Sequence, residues 1–231
     1  MGVSGFFRWI SKRYPLIRKS MKVLSRPRFN NLFIDANSIF YRAVSSVNET
    51  VSDLTPSLLA EILRYIDLLV QVSNPSDLIF IALDGPGPLS KLRIQRQHRF
   101  AKAASSKNGF DSVAFSPGTE FMHKLNKEIV KFIQEQIRNN AWGKVKVILS
   151  GSSTPGEGEH KIINYIRMLK GNNEWNSDTT SCLYSTDADL IFLCLSLHEP
   201  NICIMREADA VHTHTVCVPY YKAAPYNISH T

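Results

Sequence analysis

Cysteine is scarce in this chain: four in 231 residues, with no CxxC spacing among them. Cys182, Cys194, Cys203 and Cys217 therefore give no disulfide framework, and reduced structural thiols in an intracellular protein are the expectation. A zinc site built from Cys203, His212, His214 and Cys217 would fall outside the common ligand spacings. Long apolar runs are also missing. The runs at 78–83 and 190–195 are far too short to span a bilayer, and no secretory leader is visible. The MGVSGF start has Phe6 where a myristoylation signal needs Ser or Thr. The sequons at Asn48 and Asn227 mean little without a secretory route. Internal repeats and low-complexity stretches are absent. Acid is absent from the first 34 residues, which hold Arg8, Lys12, Arg13, Arg18, Lys19, Lys22, Arg26 and Arg28 ahead of Asp35.

What is present is a chain with 44% hydrophobic residues, enough for one α/β domain, and a formal net charge of +7. The uneven basicity points to a polyanionic partner, because phosphate binding is driven by counterion release. A solvated basic surface or an anionic membrane is the competing reading of charge alone.

Residues 31–35 read as a strand ending at Asp35. Residues 55–72 read as an amphipathic helix, with Thr55 as N-cap, Pro56 in the first turn and a stripe of Leu59, Ile62, Leu63, Ile66, Leu69 and Val70. A strand at 78–83 ends at Asp84. A long helix is predicted over 118–138, a strand over 145–149, a helix over 157–169 and a strand over 181–185. A short helix from 188 and a strand over 201–205 follow. Alternation of this kind implies an α/β fold, a parallel twisted sheet with helices on both faces. Residues 208–231 lack periodicity and read as a tail or a truncated continuation.

Six acids then stand out: Asp35 in NLFIDAN, Asp84 in IFIALDG, Glu157 and Glu159 in TPGEGEH, and Asp187 and Asp189 in STDADL. Each alone has an ordinary explanation. An Asp after a strand is often a turn residue, and acids in a first helical turn favour the positive end of the dipole. Those explanations do not say why all four clusters map to the carboxyl ends of the strands, where active sites of such sheets lie. Crowded carboxylates call for hard divalent cations, and a pair of such ions suits phosphodiester hydrolysis. The segment KLRIQRQHRF after Asp84, if helical, puts Lys91, Gln95, His98 and Arg99 on one face, fit to grip a terminal phosphate. The competing reading is a solvated basic helix.

These residues resemble the XRN family of 5′→3′ exoribonucleases. The resemblance is carried, in order, by MGVSGFFRWISKRYPLI, DANSIF, the basic segment after DG, FSPGTEFM, SGSSTPGEGEHKIINYIR and CLYSTDADLIFLCLSLHEP. It covers residues 1–207, and it implies a PIN-like, flap-nuclease-like fold. It implies that Asp35, Asp84, Glu157, Glu159, Asp187 and Asp189 are catalytic Mg²⁺ (or Mn²⁺) ligands for two ions. It further implies that Lys91, Gln95 and Arg99 hold a 5′-monophosphate, and that Asn37 lies near the metals. His98 stands where the family usually has another arginine, Tyr41 where many members have a base-stacking histidine, and Ser38 where glycine is usual. Tyr41 remains able to stack on a base.

The expected function is degradation of single-stranded RNA with a 5′-monophosphate, releasing nucleoside monophosphates, with no membrane and no small-molecule cofactor involved. The family continues with a further metal-site aspartate in a GNDFLP-containing segment and a second conserved region, neither of which lies in these 231 residues. A protein partner or longer isoform completing the fold, or a non-catalytic RNA-binding relative, is the alternative expectation. No zinc knuckle or compact lysine-rich import signal is visible, so the expected location is cytoplasmic, with nuclear the alternative.

Overall fold

The computed structural model describes residues 5–17, 19–20, 28–47, 55–93, 96–97, 111–207 and 215–219. Five strands form a parallel core: β2 (Asn31–Asp35), β3 (Leu78–Ala82), β4 (Lys146–Ser150), β5 (Ser181–Tyr184) and β6 (Ile202–Glu207). Their spatial order is β6-β5-β2-β3-β4. Two more strands, β1 (Lys19–Ser20) and β7 (Thr215–Pro219), extend the β6 edge in antiparallel fashion.

The chain leaves β2 in one direction, through β3 to β4, then crosses back to β5 and β6. Helices α2 (Asn37–Ser46), α3 (Thr55–Ser73) and α4 (Glu120–Arg138) cover one face. Helices α5 (Gly158–Gly171) and α6 (Asp189–Leu195) cover the other, with Phe6 and Phe7 of α1 (Phe6–Arg13) packed at its margin. The reason is the two-residue alternation of a strand. Along β2, Leu32 and Ile34 enter the first core while Phe33 enters the second. Strands buried on both faces need continuous apolar sequence, and β3, LIFIA, is buried at every position.

Boundaries lie within two residues of the sequence reading for α3, α4, β3, β4, α5, β5 and β6. Four of these elements, α1, α2, β1 and β7, were not anticipated. Helices α1 and α2 are short, eight and ten residues, so each shows only about two turns of apolar periodicity. Residues 215–219, read as part of a tail, form β7 against β6, because the free edge of β6 offers a row of unpaired backbone groups.

Candidate functional site

Parallel strands deliver all their carboxyl ends to one edge, and the reversal of winding between β2 and β5 opens a crevice there. A cavity of about 420 Å³ occupies it, lined by Asp35, Asn37, Ser38, Tyr41, Asp84, Lys91, Glu157, Glu159, Thr186, Asp187 and Asp189. All six singled-out acids are therefore in one cavity, although they come from four separate strand ends. Lys91 and Tyr41 share it. Gln95, His98 and Arg99 lie outside the described residues, as do His212 and His214; residues 89–93 and 96–97 are helical.

Asp35 is the last residue of β2 and is buried. Its Oδ2 accepts hydrogen bonds from Ser38 Oγ and Ser185 Oγ, each at 2.9 Å. Burial, then the nearby Asp84 carboxylate, push its pKa up to about 6, against those serine bonds. Asp84 follows β3. Its backbone N–H donates to Asn37 Oδ1 at 2.9 Å, and its Oδ1 accepts from the Gly158 N–H at 2.7 Å. Burial again raises its pKa, opposed by the Gly158 bond.

Glu159, buried in the first turn of α5, is pushed up to about 8 by burial and by the Asp187, Asp35, Glu157 and Asp189 carboxylates. A first-turn acid ordinarily enjoys the helix dipole; here burial and the surrounding charges outweigh it. Glu157 is the N-cap residue but makes no side-chain capping bond. It instead meets Lys91 Nζ at 2.5 Å. Burial disfavours the Lys91 ammonium, yet the carboxylates of Glu157, Glu159 and Asp84 hold its pKa above the ordinary value. Asp187 partly fulfils the capping explanation, since its Oδ1 accepts the Asp189 N–H at 3.1 Å.

Two glycines are sterically required here. A Cβ on Gly158 would lie 2.6 Å from Asp35 Oδ1, and one on Gly85 would lie 1.7 Å from the Thr154 carbonyl oxygen. They explain why glycine separates the two glutamates of GEGE and follows Asp84.

Sequence reasoning missed three participants. Lys161 is buried, one turn after Glu157, and donates to the Leu83 and Gly151 carbonyls at 2.7 and 2.9 Å. Burial brings its pKa down to about 8. Its place in GEGEHK, four residues after a site acid, was the available signal. Ser185 bonds Asp35, and it had no signal beyond its position at the end of β5. His160 was the third. Among the described residues, Glu157, Glu159 and His160 form the group whose ligand atoms all lie within 4.8 Å of one another. The six acids share the cavity without converging that tightly.

Six carboxylates face a single cationic side chain, Lys91, among the lining residues. An oxygen-rich, acidic donor set in which burial and neighbouring carboxylates push Asp35 up to about 6 and Glu159 up to about 8 fits hard divalent cations.

A model of the XRN 5′-3′ exonuclease N-terminus matches residues 1–109 and 102–208. This chain belongs to that family. The 5′-3′ exoribonuclease 1 of Saccharomyces cerevisiae is 40% identical over 226 residues, covering 90% of this chain and 15% of the relative. The 5′-3′ exoribonuclease 1 of Homo sapiens is 35% identical, covering 95% of this chain and 14% of the relative. The 5′-3′ exoribonuclease 2 of Candida glabrata is 31% identical, over 90% and 25% respectively. The XRN match spans every acid of the cavity, while this chain spans about a seventh of the first two relatives' length.

Proposed function

We propose that this chain carries the catalytic centre of a Mg²⁺-dependent 5′→3′ exoribonuclease that removes nucleoside monophosphates from single-stranded RNA bearing a 5′-monophosphate. The observation that carries the reading is the convergence of Asp35, Asp84, Glu157, Glu159, Asp187 and Asp189 on one cavity in a chain of the XRN family.

Those six carboxylates would hold Mg²⁺, with Mn²⁺ the alternative ion. When bound, the metal supplies Lewis acidity that activates water and offsets charge on the leaving oxygen. The chain's own groups do the positioning. Ser38 and Ser185 hold Asp35 Oδ2 at the cavity floor. Lys91, on the helical residues 89–93, offers an ammonium to the terminal phosphate. The phosphate would take up the donor that Glu157 now accepts. Tyr41 has an exposed ring braced edge-on by Phe115, with centroids 5.9 Å apart. A braced, exposed ring at the cavity rim suits stacking on the first base.

The test compares decay of one RNA carrying a 5′-monophosphate, a 5′-hydroxyl or a 5′-triphosphate, with and without Mg²⁺. Mg²⁺-dependent release of monophosphates, fastest from the monophosphorylated RNA and abolished by Asp187→Asn, is expected. RNA binding with no release under any ion condition would instead support a non-catalytic relative.

A further inference from the structure

Helix α1 packs on Arg206 and Phe192, which flank the turn at Asp187 and the start of α6 at Asp189, from outside the cavity. Arg206, on β6, donates from Nη1 to the Asp187 carbonyl at 2.7 Å and from Nη2 to the Thr186 carbonyl. The same guanidinium lies over the ring of Phe7 in α1, 4.5 Å from its centroid. The neighbouring Phe6 packs on Phe192 with centroids 4.2 Å apart, and Phe192 sits one turn after Asp189 in α6. The aromatic end of α1 thus touches the loop's supports on both sides of the acids.

The opposite side of the loop is held from within. The Thr186 N–H donates to Ser38 Oγ at 3.1 Å, and the Asp187 N–H donates to Ser185 Oγ at 3.0 Å. Backbone donors therefore face the serines that also bind Asp35, while backbone carbonyls face Arg206. Only a guanidinium performs the outer task well. Its planar fork reaches two adjacent carbonyls in its own plane while its face remains available to an aromatic ring. Lysine would supply a point charge without the fork.

We propose that Arg206 and Phe7 are positioning residues: α1 clamps the backbone at 186–187 through this stack, and so sets where the Asp187 and Asp189 carboxylates stand in the cavity. The inference rests on the divalent-cation reading of the cavity given above. Groups outside a ligand shell that orient the ligands typically alter metal affinity by about 10- to 100-fold when removed.

The experiment uses the full 231-residue chain with Phe7→Leu, Phe7→Tyr, Arg206→Met and the Phe7→Leu/Arg206→Met pair. Two quantities are read: Mn²⁺ affinity by calorimetry, and amide hydrogen exchange of the cation-free protein. Phe7→Leu keeps apolar bulk but removes the ring. It should weaken Mn²⁺ binding about tenfold and speed exchange at 186–189 while β2 and β3 keep their protection. Phe7→Tyr, which retains the ring, should match the parent. The double variant should be little worse than Arg206→Met alone, because the two residues act as one unit.

Unchanged affinity and unchanged exchange in Phe7→Leu would overturn the proposal. So would equal losses in Phe7→Leu and Phe7→Tyr, or exchange that quickens evenly through the sheet. Should Arg206→Met fail to fold, the two Phe7 variants decide. Should the parent bind no Mn²⁺, the metal reading fails, and exchange at 186–189 still decides whether the clamp exists.

Discussion

Glu159 has its carboxyl pushed up to about 8 by burial and then by four neighbouring carboxylates. Replacing it with glutamine removes a charge that the cation-free fold resists. Glu159→Gln should therefore raise the melting temperature of the cation-free protein above pH 8, where the native carboxyl is ionised, and also weaken Mn²⁺ binding. At this chain length each kcal/mol corresponds to roughly 2–4 °C. A lower cation-free melting temperature at that pH would contradict the repulsion argument. The two glycines give a matched pair. Gly85→Ala drives a methyl onto the backbone oxygen of Thr154, which cannot swing away. Overpacking of that kind should cost about 3 kcal/mol, visible as a lower urea midpoint. Gly158→Ala presses instead on a side-chain end, Asp35 Oδ1, which can yield by loosening its Ser38 and Ser185 bonds. Its stability loss should be smaller, about 1 kcal/mol, while its Mn²⁺ affinity falls further than that of Gly85→Ala.

Among the elements, the strand ends of β3 and β4 are tied together by one side chain. Lys161 Nζ donates to the Leu83 carbonyl just before Asp84 and to the Gly151 carbonyl just after β4. Lys161→Met should fit the apolar stem but leave the Leu83 carbonyl without its donor and the Gly151 carbonyl with the Thr154 N–H alone, costing roughly 1–3 kcal/mol. It also removes a cation that lowers the Asp84 pKa. Denaturant unfolding monitored by far-UV circular dichroism measures this, and a change under 0.5 kcal/mol would show the tie to be dispensable. Long elements were legible because their stripes are long: α4 carries Phe121, Leu125, Ile129 and Ile133 into one core. Helices α1 and α2 were not legible, since each is held by contacts to distant residues. Phe6 rests on Phe192, and Asn37 receives the Asp84 N–H.

For the whole molecule, the raised carboxyls set a pH dependence. Asp35 and Glu159 bind protons more tightly folded than unfolded. Their contribution to stability is therefore fully present below about pH 4, near the ordinary aspartate and glutamate values of 3.8 and 4.5. It is lost as pH rises through about 6 for Asp35 and about 8 for Glu159. Lys161 acts in a later window. Its amine, brought down to about 8, is penalised while protonated, and that penalty is relieved as pH rises from about 8 towards 10.5. Thermal melts of the cation-free protein between pH 5 and 8 should show falling stability, and millimolar Mg²⁺ should offset most of the fall at pH 8. A melting temperature that is flat with pH, or indifferent to Mg²⁺, would remove the electrostatic account of the cavity.

The order of the longer strands and helices, the parallel core and the six acids were determined by local sequence, because periodicity and strand-end position are read within ten or so residues. Tertiary structure alone decided which groups surround each acid. Ser185 reaches Asp35 across 150 positions of sequence, Gly158 reaches Asp84 across 74, and Arg206 braces the Thr186–Asp187 backbone from a different strand. The same holds for Lys91, whose basic segment suggested a phosphate while the fold sets its ammonium on Glu157. Charge and hydrogen-bond energies depend on separation in space, and the crossover from β4 to β5 creates those separations only once the sheet has closed around β2.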